Sequence, residues 1–136
     1  MIFGVKLRSG LFFLPILLTA CGGATGSDNG QLLGIYRFTS ISVAGSKTFC
    51  PGSVTVDDIQ YACGADTLRF DGSSVFTAFR NGDTTIGNYS FSSGSLSMVA
   101  SGNSRTASVD FQDAGEVIVI RFNFSNDEVW TLQKND

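Results

Sequence analysis

The chain has 136 residues, a formal charge of −3 from nine basic and twelve acidic residues, three cysteines and no histidine. A length this short fits one domain and leaves no room for a separate catalytic module. Without histidine, Ser-His-Asp and Cys-His catalysis and every His-containing zinc or non-haem iron site are excluded, and the acidic balance argues against capture of nucleic acid.

Residues 1–20 read as an export signal: Lys6 and Arg8 charge the start, Leu11 to Leu18 form an apolar run, and Thr19-Ala20 are small. The run is too short for a membrane span, and Pro15 within it breaks a persistent helix. Its last residues with the next, Leu18-Thr19-Ala20-Cys21, resemble the bacterial lipobox. The resemblance implies cleavage before Cys21, a diacylglyceryl group on its sulfur and acylation of the new amino terminus. Each buried methylene contributes about 0.8 kcal/mol, so two or more chains hold a protein on a bilayer. The expected location is therefore the bacterial cell envelope. Gly22 stands where Asp, by the rule known for enteric bacteria, signals inner-membrane retention, so the analogy favours the outer membrane.

Residues 21–31 comprise Cys21 and a stretch of Gly, Ser, Thr, Asn and Asp with nothing to bury, which reads as a flexible tether. Ten such residues span about 17 Å in root-mean-square terms. Removing Lys6 and Arg8 leaves seven basic against twelve acidic residues, a mature charge of −5. With Cys21 taken by lipid, Cys50 and Cys63 form an even pair in an oxidising compartment. A structural disulfide between them closes a short loop, a gain of roughly 3 kcal/mol on the chain-entropy model. The competing reading, a thiol pair for redox or metal work, lacks a CxxC spacing and any histidine, and two thiolates fall short of a tetrahedral site.

From residue 32 to 136 short apolar alternations are broken by Gly, Asn, Asp and Ser about every ten residues, the pattern of an antiparallel meander. The predicted strands are Leu33–Val43, Thr67–Phe70, Val75–Arg80, Ile86–Phe91, Ser95–Ala100, Arg105–Phe111, Glu116–Phe124 and Glu128–Lys134. A further hairpin, Ser53–Val56 with Ile59–Ala62, is bracketed by the two cysteines. Eight strands with such short connections predict an all-β, eight-stranded antiparallel up-and-down barrel, whose closure removes exposed edges, with a disulfide-stapled hairpin excursion. The period of two collects Leu68, Phe70, Phe76, Tyr89, Phe91, Leu96, Met98, Val109, Phe111, Ile118, Ile120, Phe122, Phe124, Trp130 and Leu132 on one face. Val75, Phe79, Val99, Val117 and Val119 fall on the other, either beneath the excursion or against neighbours.

The opening Leu33-Gly34-Ile35-Tyr36-Arg37-Phe38, the element Gly87-Asn88-Tyr89-Ser90-Phe91 with Ser95-Leu96-Ser97-Met98, and the closing Val129-Trp130-Thr131-Leu132-Gln133-Lys134 resemble bacterial lipocalin-like lipoproteins. The family's opening Trp is Tyr36 here, and Phe91 stands in the position of its Ile. The resemblance implies a lipocalin-like barrel and, for most members, no established activity.

Adjacent carboxylates at Asp57-Asp58 and Asp127-Glu128 sit in turns and point apart, so they read as solvated turns rather than acid-base pairs. No calcium hand loop, phosphate-cradling Gly loop or nucleophile elbow is present, so neither a metal site, a cofactor nor an enzyme is expected. The informative set is aromatic: Tyr36, Phe70, Phe76, Tyr89, Phe91, Phe111, Phe122, Phe124 and Trp130 line either a pocket for a small apolar ligand or a packed core. Their bulk favours a filled or nearly filled interior. In that case function moves to the loops, above all the Cys50–Cys63 excursion with Phe49 and Tyr61 taken as exposed, acting on an envelope protein. Within that class Tyr61-Ala62-Cys63 resembles the aromatic-x-Cys of lysozyme-inhibitor lipoproteins, whose Ser-Gly-x-x-Tyr and Trp-Thr-Lys-Gly stretches are missing. The two readings are thus a carrier of a small apolar ligand and an interaction or inhibitor module, both held to the membrane by the N-terminal lipid.

Overall fold

The computed structural model describes residues 28–123 and 127–135. The signal segment, Cys21, the first part of the tether and Phe124 lie outside them. Eleven strands follow in chain order: β1 Leu33–Val43, β2 Ser46–Phe49, β3 Gly52–Val56, β4 Ile59–Cys63, β5 Thr67–Asp71 and β6 Val75–Arg80. They continue as β7 Asp83–Ser92, β8 Ser95–Ala100, β9 Asn103–Gln112, β10 Val117–Phe122 and β11 Val129–Lys134. Eight of them form a closed antiparallel barrel in the ring order β1, β5, β6, β7, β8, β9, β10, β11, with β11 pairing back onto β1.

Burial alternates residue by residue along most strands, as the sequence period requires: Leu68 and Phe70, Phe76 and Ala78, Tyr89 and Phe91, Leu96 and Met98 all turn inward. Cross-strand partners share a face, for example Leu96 with Phe91 and Ile120 with Trp130. Hairpins β7 and β9 begin two to three residues earlier than predicted, because their tight turns let pairing run to the last residue. At Asn81-Gly82 both residues have positive φ, 54° and 85°, the type I′ geometry whose twist matches the strands. Strand β10 is shorter than predicted, and β2 is a strand that alternation did not reveal; it pairs with the second half of β1, Ser40 with Phe49 through Val43 with Ser46.

Strand β1 serves three neighbours. Its first half pairs with β5 and its other edge with β11, where the register shifts: Leu132 faces Phe38, whereas Thr131 faces Ser40. The extra residue, Thr39, donates its hydroxyl to Thr131 O at 3.0 Å, and Thr39 O accepts from Cys50 N at 3.0 Å. This bulge changes the side-chain phase, so Phe38 and Ile41 both face the core despite their odd spacing. Of the outward valines and Phe79, Val119 is buried, whereas Phe79 and Val99 face solvent rather than the excursion.

The two ends of the barrel differ. At one end the stretch read as tether docks onto the fold. Asp28 N donates to Phe91 O at 2.7 Å, Ser93 N donates to the Asp28 carboxylate at 2.9 Å, and Phe91 N donates to Asn29 Oδ1 at 2.6 Å. Asn29 Nδ2 in turn donates to Ser73 O. Asn29–Gln31 form a 3-10 turn, and Leu32 behind it is completely buried. Tyr89 locks this plug: its hydroxyl lies 3.1 Å from Asn29 O and 3.0 Å from Leu32 O, one hydrogen shared by two acceptors.

Burial pushes the Tyr89 phenol above its ordinary value near 10, only partly offset by a backbone hydrogen bond from the Gly72 turn. The folded state therefore holds this proton more tightly than the unfolded chain. The stability it contributes is fully present below about pH 10 and is lost as pH rises through the higher folded value. Tyr89→Phe is expected to cost about 1–2 kcal/mol at pH 7, because two carbonyls lose their donor. It should also flatten the alkaline side of the stability profile. Urea unfolding of both proteins at pH 7 and pH 11 checks this, and an unchanged alkaline slope would contradict it.

Candidate functional site

The opposite end is open. Here the inward positions carry small or polar side chains: Ala78 and Arg80 on β6, Thr85 on β7, Ala100 on β8, Asn103 and Arg105 on β9. Gly87, one step deeper on β7, is inward too, and a Cβ there would collide with Val99 O and the Phe76 ring. The result is a cup of about 420 Å³, floored and walled by Phe76, Met98, Phe122 and Trp130. The lower half of the barrel is filled by Leu32, Tyr36, Leu68, Phe70, Phe91, Leu96, Ile118 and Leu132. The expectation of a filled interior therefore fails at the mouth, because bulk is graded along the barrel axis.

Two arginines enter this cup, and each is held by a carboxylate and by aromatic rings. Arg105 Nη2 donates to Glu128 Oε1 at 2.8 Å, and Trp130 Nε1 donates to Glu128 Oε2 at 2.7 Å. The Arg105 guanidinium lies 3.8 Å from the Phe122 ring centre and 5.7 Å from that of Trp130. Arg80 Nε donates to Asp66 Oδ2 at 3.0 Å and its Nη2 to Ala62 O at 3.2 Å, while its guanidinium lies over Phe38 at 4.4 Å and Trp130 at 4.8 Å. Trp130 also packs edge-on against Phe122, with ring centres 4.6 Å apart. Guanidinium-aromatic contacts of this kind are worth about 0.5–2 kcal/mol each, most when desolvated.

The excursion supports the mouth. Strands β3 and β4 form their own two-stranded sheet, and Cys50–Cys63 bonds it to the end of β2 with sulfurs 2.02 Å apart. Beyond Cys63 the chain presents Asp66, buried, whose second oxygen accepts Asn81 N at 3.1 Å. Asp66 thereby fixes Arg80 in the cup wall. Phe49 is 70% exposed and Ile59 54%, but Tyr61 is half-buried against the core rather than exposed.

Among the aromatic residues singled out in the sequence, Phe76, Phe122 and Trp130 line the cup. Tyr36, Phe70, Tyr89 and Phe91 lie deeper in the packed half, joined by edge-on contacts between Tyr36 and Phe70 and between Phe70 and Tyr89. Phe111 is half-buried at the closed end, with its ring 5.8 Å from that of Phe91. Sequence reasoning missed Arg80, Arg105 and Glu128. The signal was present for the first two: Arg80 is in phase with Phe76 and Ala78, and Arg105 with Ala107 and Val109. No group of three or more His, Cys, Asp or Glu able to hold a metal occurs among the described residues.

These features define a small antiparallel barrel with one plugged end and one open, aromatic and arginine-lined cup. Compared with protein-family models, curated proteins and solved structures, the chain matches none.

Proposed function

We propose that the protein is a lipid-anchored lipoprotein of the bacterial envelope, in the outer membrane, whose lipocalin-like barrel binds a small apolar ligand in the cup without catalysis. The observation that carries this reading is the cup itself, about 420 Å³ and walled by Phe76, Met98, Phe122 and Trp130. That volume is toward the lower end of the range of about 300–1,000 Å³ for small-molecule sites. The anchor rests on Leu18-Thr19-Ala20-Cys21. Asp28 docks at the plugged end, so an anchor at Cys21 joins the barrel at the end opposite the cup.

Trp130 is the chain's single tryptophan and lines the cup, so its fluorescence reports occupancy. Titration with neutral N-phenylnaphthylamine is expected to change that fluorescence saturably with one site, and Ala100→Phe, which fills the cup, should abolish the response. Absence of saturable binding, or binding indifferent to Ala100→Phe, would sink the reading. For the anchor, palmitate labelling in cells should depend on Cys21 and vanish in Cys21→Ser.

The second reading, an interaction or inhibitor module acting through the loops on an envelope protein, is favoured by Phe49 and Ile59 standing exposed on the excursion. It predicts that Phe49→Ser with Ile59→Ser removes an envelope partner from pull-downs while leaving N-phenylnaphthylamine binding intact.

A further inference from the structure

Resting on the cup as a ligand site, we propose that it is built for an amphipathic anion, with an oxyanion head on Arg105 and an apolar body against Phe76, Met98, Phe122 and Trp130. The inference comes from counting which hydrogen-bonding capacity in the mouth is already committed. Glu128 has both oxygens engaged, one by Arg105 Nη2 at 2.8 Å and one by Trp130 Nε1 at 2.7 Å. Asp66 likewise has both engaged, by Arg80 Nε and Asn81 N. Each carboxylate is moreover ion-paired with an arginine, which makes it a poor partner for a cationic ligand.

The two arginines are not equivalent. Arg80 directs Nε to Asp66 and Nη2 to Ala62 O beneath the rings of Phe38 and Trp130, which makes it part of the wall. Arg105 uses one of its five N–H groups on Glu128, its other N–H groups meet no partner among the described residues, and its side chain lines the cup with 35% of its surface exposed. A guanidinium fork over an aromatic face, with donors to spare beside an apolar wall, fits the planar two-oxygen geometry of a carboxylate and the oxygens of a phosphate or sulfonate. The charge sum of Arg80, Arg105, Asp66 and Glu128 is zero, so long-range attraction does not select the ligand; short-range donation does. A cup opening toward water suits such a molecule, since an anionic head keeps an apolar body in solution.

Glu128 then has an opposing role. It holds Arg105 in place, but as a fixed anion it also repels the head group. This gives a test whose sign a merely structural residue would not produce. The probes share one aromatic body: anilinonaphthalene sulfonate carries an anionic head and N-phenylnaphthylamine carries none. In the intact chain the sulfonate is expected to bind about tenfold more tightly than the neutral probe, the scale of one charge-assisted hydrogen bond. Arg105→Gln should remove that advantage. Glu128→Gln, which removes the charge and keeps the side-chain shape and one acceptor oxygen for Arg105 while giving up the acceptor for Trp130 Nε1, should tighten the sulfonate several-fold and leave the neutral probe within twofold. Near-ultraviolet circular dichroism of each variant excludes sulfonate binding to a loosened core, and Glu128→Gln carries the test alone if Arg105→Gln does not fold.

If the neutral probe binds the cup but the sulfonate is no tighter, or is unmoved by Glu128→Gln, the anion inference is overturned while the cup remains a ligand site. If neither probe binds, both readings fall.

Discussion

Replacement of Trp130 by alanine is expected to lower the unfolding free energy by about 3–5 kcal/mol and to abolish ligand binding. The indole is buried, packs against Phe122 at 4.6 Å and Phe38 at 5.0 Å, and lies under the Arg80 guanidinium at 4.8 Å. Its removal takes away the shared face of both cation-aromatic contacts and leaves Glu128 Oε2 without its indole donor. The adjoining cup lets water reach the vacated volume, which relieves part of the cavity cost and sets the lower end of the range. Trp130→Phe separates the contributions in part: it keeps one aromatic ring in place and removes the N–H with the rest of the indole, so an intermediate loss of about 1–3 kcal/mol is expected. Urea unfolding followed by circular dichroism measures both. A loss below about 1 kcal/mol for Trp130→Ala would mean that the ring is not the hub of the mouth.

Removing the disulfide by Cys50→Ala with Cys63→Ala is expected to cost about 3 kcal/mol, from freeing a loop whose ends are 13 positions apart. The effect should be unevenly distributed. Strands β3 and β4 are a two-stranded sheet with little core of their own, and isolated hairpins are marginal at best. The excursion is thus expected to loosen before the barrel does, and with it Ala62 O and Asp66, which hold Arg80. Limited chymotrypsin digestion should cut at Phe49 and Tyr61 in the variant while leaving the barrel whole, and N-phenylnaphthylamine affinity should fall several-fold. Equal protease resistance of the two proteins would show that the hairpin is held by packing and not by the staple.

Much of the fold was legible because strands of a one-sided barrel write their burial directly into alternate residues. Leu68 and Phe70 or Leu96 and Met98 face the core for the same reason that they stand two apart. Closure followed from the absence of any means of protecting a free edge. The missed features each have a physical cause. Asp28 and Asn29 dock through polar side chains and main-chain groups, which leave no hydrophobic signal, so the segment reads as tether until Leu32. Thr39 shifts the phase of β1 midway, a change that no periodic template anticipates. The cup was hidden because bulk was summed over the whole interior, whereas Ala78, Gly87 and Ala100 are gathered at the mouth. Arg80 and Arg105 escaped because charge is read as solvent-facing by default, although their phase places them inside.

The pairing of β11 with β1 has a consequence for how the molecule breathes. In a closed ring each strand is held by two ladders, so peeling any one away breaks both, and the ring opens as a cooperative unit. At the open end, the described main chain most able to fluctuate locally is what lies outside the ring: the Asn81-Gly82 and Ser101-Gly102 turns and the β3–β4 hairpin. All of these sit around the cup. Amide exchange should accordingly be slow around the girth of the barrel and fast in these rim segments, so that transient openings widen the mouth without costing the fold.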